Sequence, residues 1–496
     1  MLAGIDYFIV IAYIIGILIL GFYFRRFVSS SEDYFLAGKS LPFWAIGMSI
    51  VVSDIGALDF VGISGQGYRY GISVGNFDWI GSVPAMLLAA FIFVPYFWKG
   101  GVYTIPEYLG KRYNRHVRTI ASLTWLFFFA VNLGVLFWAS AVLLNVLMGW
   151  SIWSSIIITA VVVGLYTYFG GITAVVMTDV VQLIIMFVGG FTLVFLGLEE
   201  IGGWEVMVDK ITAMGPEFSQ HFKLMQPADT PTPYPWTGIL FGLTFVMANA
   251  YMIGNQAIVQ RCLTAKNVWH AKASMIMAAG LKMMIPVLVL FPGLMAIIIH
   301  PGLEDGDQAL PMLIKSILPP GLIGLMFSAF FAGLMSSVDS ILNSTATIFT
   351  KDIYEPYIRP NASDKHYLAV GRITTISLLV LGVATSKISS QYPGLYVAIQ
   401  SFLSYFQGPI FSILLLGIFW KRATQWGGLA GLVIGIVVAF ILNSVDGIFT
   451  IEDPFLYVSW WSFVTGFVVT IIVSLFTTPK TDIQLSGLVF SRVIRK

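Results

Sequence analysis

The stretch that decides the fold is SIVVSDIGALDFVGISGQG, at residues 49–67. It is apolar enough to enter a membrane, yet it is interrupted by acids and glycines: Asp54, Gly56, Asp59, Gly62, Gly65 and Gly67. A second stretch, ANAYMIGNQ at 248–256, interrupts another apolar run with Asn249, Gly254 and Asn255. Unwound backbone is tolerated at membrane depth only where it lines a cavity. Two such breaks therefore predict the midplane binding site of a transporter.

The two breaks fall in the second and seventh of thirteen apolar stretches, each long enough to cross about 30 Å of hydrocarbon. The stretches lie near 5–25, 41–66, 77–98, 119–147, 151–171, 173–199, 236–257, 270–299, 321–350, 368–388, 394–420, 427–444 and 457–477. We call them the first to thirteenth spans. The breaks are five spans apart, and an odd number of spans turns the second repeat upside down in the membrane. Spans 2–6 and 7–11 are therefore predicted to form an inverted pair.

Composition places the chain in a membrane. Of its 496 residues, 57% are hydrophobic and 10% are charged, whereas soluble domains carry about 25% charged residues. The net charge of +2 gives no indication of nucleic-acid binding. The one cysteine, Cys262, excludes an intrachain disulfide. The first apolar run has no basic n-region or cleavage pattern, so we expect a retained span rather than a signal peptide.

Loop charges predict the orientation. The loop from Lys99 to Arg118 and the loops that begin at Arg261, Lys351 and Lys421 are basic, and all lie on one side. The loop that carries Glu304, Asp305 and Asp307 lies on the other side. The positive-inside rule then places the N-terminus outside and the C-terminus in the cytoplasm.

No linker or shift in composition divides the chain, so residues 1–496 are predicted to form a single transporter domain. Its expected parts are a leading helix at 5–25, repeat one at about 41–199, an extracellular loop at 200–235, repeat two at about 236–420, and trailing helices within 427–477. A short helix over Trp204–Met214 is expected in the loop.

The ninth span, GLIGLMFSAFFAGLMSSVDSILNSTATIFT at 321–350, carries a polar stripe. Ser336, Asp339, Ser340 and Asn343 are three or four residues apart and share one helical face. A carboxylate at membrane depth costs about 2.5–3.5 kcal/mol and is rarely kept without a partner. Hard oxygen donors suit a hard cation such as sodium. The alternative interpretation is a seam of hydrogen bonds between helices.

Six motifs carry a resemblance to a known family. They are SSEDYFLAGKSLPFWAIG at 30–47, FVGISGQGY at 60–68, GGVYTIPEYLGKRYN at 100–114, YFGGITAVVMTDVVQ at 168–182, IVQRCLTAK at 258–266 and SSVDSILNSTATIFTKDIY at 336–354. Together they resemble the sodium:solute symporter family, and within it the sodium/sugar cotransporter branch with its bacterial sodium/galactose symporters. The resemblance implies an all-α transmembrane fold, the leucine-transporter type of five-plus-five inverted repeat, with one leading and two trailing helices.

The resemblance also implies ion positions. A sodium ion is expected between the second and ninth spans, on the carbonyls of Val52, Ile55 and Gly333 and the hydroxyls of Ser336 and Ser337. Some members hold a second sodium ion on an acid that Asp179 matches. Asp339 stands where relatives carry Thr, Ser or Ala, and it could strengthen that second site or admit a proton. The alternative for Asp179 is a helix-end hydrogen bond or a salt bridge to a basic loop, for example to Arg261.

Solute contacts in the family come from five spans and match a set of polar positions here. These are Asp54, Asp59, Asp78, Asn249, Lys282 and Gln400, with Tyr251 as the aromatic inner gate. Lys282 has an alternative as one half of a fixed ion pair, for example with Asp78. Relatives carry Asn at position 54, Gln or His at position 59 and Glu at position 78. This cavity is therefore expected to be more acidic than a neutral-hexose site.

These features together predict sodium-driven import of a small polar solute, with a monosaccharide as the first expectation. A polyol, an amino sugar or another cationic solute is the alternative, and a sodium-gated sensor or channel on the same scaffold is a different class. The five histidines lie in loops or at helix ends, and no nucleophile motif indicates an enzyme. The expected partners are sodium, the solute and the lipid of the cell membrane, without nucleic acid, and a monomer is expected to suffice.

Overall fold

The computed structural model describes residues 3–490 apart from 25, 27–29, 57, 392–393, 446 and 452. Within this part the chain is helical, and its only β structure consists of isolated bridges. Long apolar runs without β-strand alternation account for this, because a helix satisfies its backbone hydrogen bonds internally.

The spans have these bounds, in chain order: Gly4–Phe24; Phe43–Asp54, Asp59–Ile63 and Ser64–Tyr70; Phe77–Ser82, Val83–Leu88, Ala89–Phe93 and Val94–Lys99; Arg115–Met148; Ile152–Ile201, which bends at Gly171 and supplies two spans; Gly238–Met247, Ala248–Gly254 and Gln256–Leu263; Val268–Lys282, Ile285–Val289 and Phe291–Ile299; Leu322–Ile348 and Phe349–Tyr354; Asp364–Thr385; Leu395–Ser404 and Gln407–Phe419; Gln425–Ser444; and Phe455–Leu475. Gly171 has a φ of 59°, which only glycine adopts readily.

Eight helices in the described residues are long and apolar enough to cross a membrane, and three bent pairs raise this to eleven. Two shorter apolar helices, Phe43–Asp54 and Ile152–Gly164, coincide with the second and fifth predicted spans. Each of the thirteen predicted stretches therefore has a helical counterpart. The molecule is a multi-pass membrane protein.

Both predicted breaks are confirmed. The first half of the second span ends at Asp54, and Ile55 is extended with φ −116° and ψ 91°. The seventh span bends by 49° at Asn255, whose side chain accepts from Ala257 N at 2.9 Å and so begins the next helix. The breaks occupy the same place in the two predicted repeats.

The ninth span lies at the centre of the molecule. Its apolar window is 89% buried, whereas that of the first span is 17% buried and faces lipid. The first span still fixes the ninth, because Asp6 Oδ1 accepts from Gly321 N and Gly324 N at 2.7 Å each. A carboxylate there satisfies free N–H groups and complements the positive end of the helix dipole.

The loop that follows Ile201 covers one end of the molecule. It contains the helix Trp204–Thr212, close to the predicted one. His221 O accepts from Ile72 N at 2.6 Å, and Leu224 O accepts from Asn76 Nδ2 at 2.6 Å. These bonds hold the loop over the connection between the second and third spans.

A group of five residues lies beside this loop: Gln66, Arg69, Tyr234, Asp305 and Asp307. We call it the outer seal, after the orientation predicted from the loop charges. Arg69 pairs with Asp305 at 3.1 Å, and Tyr234 donates to Gln66 Oε1 at 2.7 Å. Asp307 Oδ2 accepts from Leu395 N, the first residue of the eleventh span, at 3.0 Å. The seal therefore joins the second span, the acidic loop and the eleventh span.

Candidate functional site

A cavity of about 110 Å³ lies between the two broken spans, at the middle of the molecule. It is far larger than the 10–15 Å³ that one water requires. Of the solute positions predicted from the sequence, six line it: Asp54, Asp59, Asp78, Tyr251, Lys282 and Gln400.

Lys282 lies at the centre of the polar part of the cavity. Its Nζ is 2.5 Å from Asp54 Oδ2 and 2.8 Å from Asp78 Oδ1, and the lysine is 5% exposed. The three residues stand at irregular points of their spans: Asp54 ends a half-helix, Asp78 lies in the π-helical turn Phe77–Ser82, and Lys282 precedes a bend. The ion pair between Lys282 and Asp78, which was the alternative interpretation of Lys282, is present. Both side chains nevertheless line the cavity.

Asp59 has a different environment. Its Oδ2 accepts from Gly56 N at 2.8 Å, and Asp59 N donates to Gly56 O at 3.1 Å. This is the acidic half of a capping box at the start of the second half-helix. No lysine or arginine forms an ion pair with Asp59 among the described residues. The cavity therefore contains three carboxylates and one ammonium group, as the sequence predicted.

Aromatic rings supply the apolar walls. Tyr251 is close enough to interact electrostatically with Asp54 and Asp59. Tyr396 is close enough to interact in the same way with Asp59 and Asp78. Phe77 packs edge-on against Tyr396 with ring centres 5.3 Å apart. Tyr396 was not among the predicted residues, although it lies one helical turn before Gln400 and so shares its helical face.

The structure places Asn249 away from the predicted solute site. Asn249 does not line the cavity, and its Nδ2 donates to Thr244 O at 2.9 Å and to Phe245 O at 3.0 Å. The cause is the π-helical stretch Gly238–Met247 just before it. The wider turns of a π-helix rotate every later side chain relative to an α-helical register. Asn255 lines the cavity instead.

The predicted sodium position is a close contact between the second and ninth spans. A Cβ on Gly333 would lie 2.6 Å from Ile55 O, so only glycine permits this approach. Ser337 Oγ donates to Ser53 O at 3.0 Å, and Ser336 Oγ lies 2.7 Å from Ser53 Oγ. Hydroxyl and carbonyl oxygens of the second and ninth spans therefore meet at this contact.

The break also frees a carbonyl there. In a continuous helix Gly56 N would donate to Val52 O, four residues earlier. Here Gly56 N donates to Asp59 instead. Val52 and Ile55, at the end of the half-helix, therefore keep carbonyl oxygens that can coordinate a hard cation.

Asp179 is engaged with Arg261. Arg261 Nη2 is 3.4 Å from Asp179 Oδ2, and both side chains are at most 2% exposed. Asp179 also accepts from Ser53 Oγ at 3.1 Å and from Ser49 Oγ at 2.5 Å. Asp339 is also fully buried, and it lies close enough to Arg261 to interact with it electrostatically. The salt bridge to Arg261, the alternative interpretation of Asp179, is therefore present, and the second sodium position stays a prediction.

Comparisons with known proteins agree with this architecture. Residues 34–435 match the model of the sodium:solute symporter family. The sodium/glucose cotransporter of Vibrio parahaemolyticus is 34% identical over 92% of this chain and 86% of its own length. The human sodium/myo-inositol cotransporter is 33% identical over 98% of this chain and 75% of its own.

Two solved structures share the fold. A Na⁺-coupled sialic acid symporter in a substrate-bound outward-open state superposes with a TM-score of 0.86 at 22% identity, over 97% of this chain and 99% of that one. The nucleobase-cation-symport-1 family transporter Mhp1 superposes with 0.59 at 14% identity, over 92% and 97%. The fold is the leucine-transporter type of five-plus-five inverted repeat.

Proposed function

Because this chain belongs to the sodium:solute symporter family, we propose that it couples sodium entry to the uptake of a sugar or polyol. Curated relatives that align over most of this chain are named as sodium/glucose and sodium/myo-inositol cotransporters. Glucose and myo-inositol share a ring of hydroxyl groups. A poly-hydroxylated ring is therefore the proposed chemical class of the solute.

The ion-paired group of Lys282, Asp54 and Asp78 is the observation that carries this proposal. Each sugar hydroxyl both donates and accepts, so it needs acceptors and donors side by side. Asp54 and Asp78 supply acceptors, while Lys282 and the Gln400 amide supply donors. Tyr251 and Tyr396 can cover the apolar faces of the ring, as in other small-molecule sites.

The proposed sodium site is formed by Val52, Ile55, Gly333, Ser336 and Ser337. An ion there would join the second and ninth spans and stabilise the conformation that binds solute. The coupling is reciprocal, since the solute must raise sodium affinity by the same factor. Each ion entering adds about 2.3 kcal/mol per 100 mV of membrane potential. We further propose that Arg261 neutralises Asp179 in this conformation.

Asp59 favours a second candidate, a symporter for an amino sugar or another cationic solute. Its carboxylate faces the cavity without an ion-pair partner among the described residues, because the nearby Lys282 pairs with Asp54 and Asp78. An ammonium group on the solute would supply that partner.

We propose transport without catalysis, by a single domain. The relatives in the family are transporters. The cavity and the sodium position both lie within one chain, so a monomer would suffice for the cycle.

The test is uptake by purified protein in liposomes. A panel of hexoses, polyols and amino sugars would be offered under separate sodium, potassium and proton gradients. The proposal predicts accumulation of a hydroxylated ring compound that requires sodium. Uptake at the same rate under a potassium gradient, or ion currents far above the solute flux, would contradict it.

A further inference from the structure

A second cavity of about 600 Å³ lies far from the transport site, at the basic end of the molecule. It opens between the end of the third span, the helix Ile105–Arg112 and the C-terminal tail. We call it the tail cleft, and define it by Tyr96, Lys99, Lys111, Gln484, Ser486 and Leu488. Nothing in the proposed transport cycle uses it.

The tail is fixed in place, so the cleft is preformed. Tyr108 donates its hydroxyl to Leu488 O at 2.7 Å, and Phe490 N donates to Ile418 O at 2.7 Å. The Phe490 ring packs against Tyr96, with centres 5.9 Å apart, and against Phe419, with centres 5.6 Å apart.

Positive charge dominates the cleft. Lys111 is balanced by Glu107 at 2.8 Å, and Asp482 is occupied by Lys421 at 3.3 Å. Lys99 is exposed and makes no hydrogen bond or ion pair with the described residues. At least one ammonium group in the cleft therefore lacks an anion.

Lys480, at the edge of the cleft, also has no anionic partner among the described residues. Its Nζ donates to a neutral acceptor, Lys111 O, at 2.9 Å. Burial, and then the nearby Arg112 guanidinium, lower the pKa of Lys480. Among the described residues, the Arg112 guanidinium donates hydrogen bonds only to the carbonyls of Gly417, Trp420 and Ala423. An anion bound in the cleft would relieve this concentration of positive charge.

The cleft adjoins the end of a membrane span, where lipid headgroups are expected. Lys99 is the last residue of the third span, and Phe91, two turns earlier on the same span, is 60% exposed. Trp98, beside Lys99, donates its Nε1 to Ala265 O at 3.0 Å. Aromatic and basic residues at the end of a span mark the membrane interface.

We propose that the tail cleft binds the phosphate of an anionic phospholipid from the leaflet on the basic side. Lysine ammonium groups donate charge-assisted hydrogen bonds to phosphate oxygens. Basic pockets at the cytoplasmic ends of spans are known to hold such headgroups. The acyl chains would lie along the exposed face of the third span near Phe91. The headgroup would then connect the third span to the tail.

The experiment compares the full-length parent with the double variant Lys99→Gln and Lys480→Gln. Purified protein in detergent would be titrated with phosphatidylglycerol, with phosphatidylcholine and with soluble glycerol 3-phosphate, while the melting temperature is followed. Lys266→Gln is the matched control, because Lys266 is an exposed lysine on the same side but outside the cleft.

The parent and Lys266→Gln are expected to be stabilised by phosphatidylglycerol and not by phosphatidylcholine. Each lysine near an anionic headgroup is worth about fivefold in affinity, so the double variant should bind roughly thirtyfold more weakly. Equal stabilisation of parent and double variant would overturn the site. A response to glycerol 3-phosphate equal to that to phosphatidylglycerol would overturn the lipid as its ligand.

Discussion

At the scale of single residues, Ser337 is the sharpest test of the sodium position. Removing its hydroxyl deletes one proposed ligand, and a bond to a charged partner is worth about 1.5–3 kcal/mol. Ser337→Ala is therefore expected to weaken sodium activation of uptake by roughly tenfold or more. The measurement is the sodium concentration that gives half-maximal uptake in liposomes.

Ser328→Ala is the control on the same helix, because the Ser328 hydroxyl bonds only to Gly324 O, one turn away, in the part of the chain that the structure describes. An unchanged sodium requirement in Ser337→Ala would remove Ser337 from the ion position.

Asp59 tests the identity of the solute. Asp59→Asn removes the negative charge but can still accept from Gly56 N. We expect it to shift preference from cationic solutes towards neutral sugars, measured as uptake ratios across hexoses, polyols and amino sugars. Identical ratios in parent and variant would mean that Asp59 does not contact the solute.

Single site residues were predicted well where a charged side chain, which is rare inside an apolar run, stands out in the sequence. Lys282 stands out from the sequence as a lysine inside an apolar run, and it indeed lines the cavity. Asn249 could not be placed, because its orientation depends on the π-helical register of the preceding turns rather than on its own identity.

At the scale of elements, the contact between the second and ninth spans depends on Gly333. Gly333→Ala would push a methyl group against Ile55 O and force the spans apart, at a cost of about 1–3 kcal/mol. We expect a lower melting temperature and loss of sodium-dependent uptake. Gly280→Ala is the control, since a Cβ there meets nothing within 4 Å. Equal behaviour of the two variants would contradict the close approach.

The outer seal is expected to respond to pH through Asp307. Burial, and then the nearby Asp305, raise the pKa of Asp307 to about 7 from its ordinary 3.8, against the opposing effects of Leu395 N and Arg69. A raised pKa means that the closed seal favours the protonated acid. Its contribution to stability is complete below the ordinary pKa and is lost as pH rises through about 7.

Hydrogen exchange in the loop around Asp307 and at Leu395 should therefore become faster from about pH 4 to about pH 7, beyond the intrinsic change. Asp307→Asn should remove most of this excess. If the variant keeps the full pH dependence of the parent, another group controls the seal.

The elements themselves were largely predictable, because apolar length and breaking residues are local signals. The bends in the eighth span, 40°, and in the eleventh, 46°, were not predicted. Pro286 and Pro409 lie just after them, but a proline near a helix start is also compatible with a straight span.

At the scale of the whole molecule, the orientation remains a prediction from loop charge. The single native cysteine, Cys262, is fully buried, so the chain offers a clean background for labelling. In intact cells, Lys223→Cys should react with a membrane-impermeant maleimide, and Lys266→Cys should react only after permeabilisation. The reverse pattern would invert the topology.

The inverted repeat was predictable because the two breaks are five spans apart. The Arg261–Asp179 pair was not: the two residues are far apart in sequence, and their contact depends on how the sixth and seventh spans pack. Sequence alone left both interpretations of Asp179 open for that reason.

The N–H group of Gly56 has a consequence for anyone who wishes to redirect this transporter to a new solute. It holds Asp59 in the cavity wall and, by doing so, leaves Val52 O available to the ion. Substitutions at Asp59 that cannot accept this bond, such as Asp59→Ala, would return the donor to Val52 and alter ion affinity together with solute choice. Engineering of specificity is therefore better begun at Gln400, which shares no backbone bond with the ion position, than at the most obvious acid.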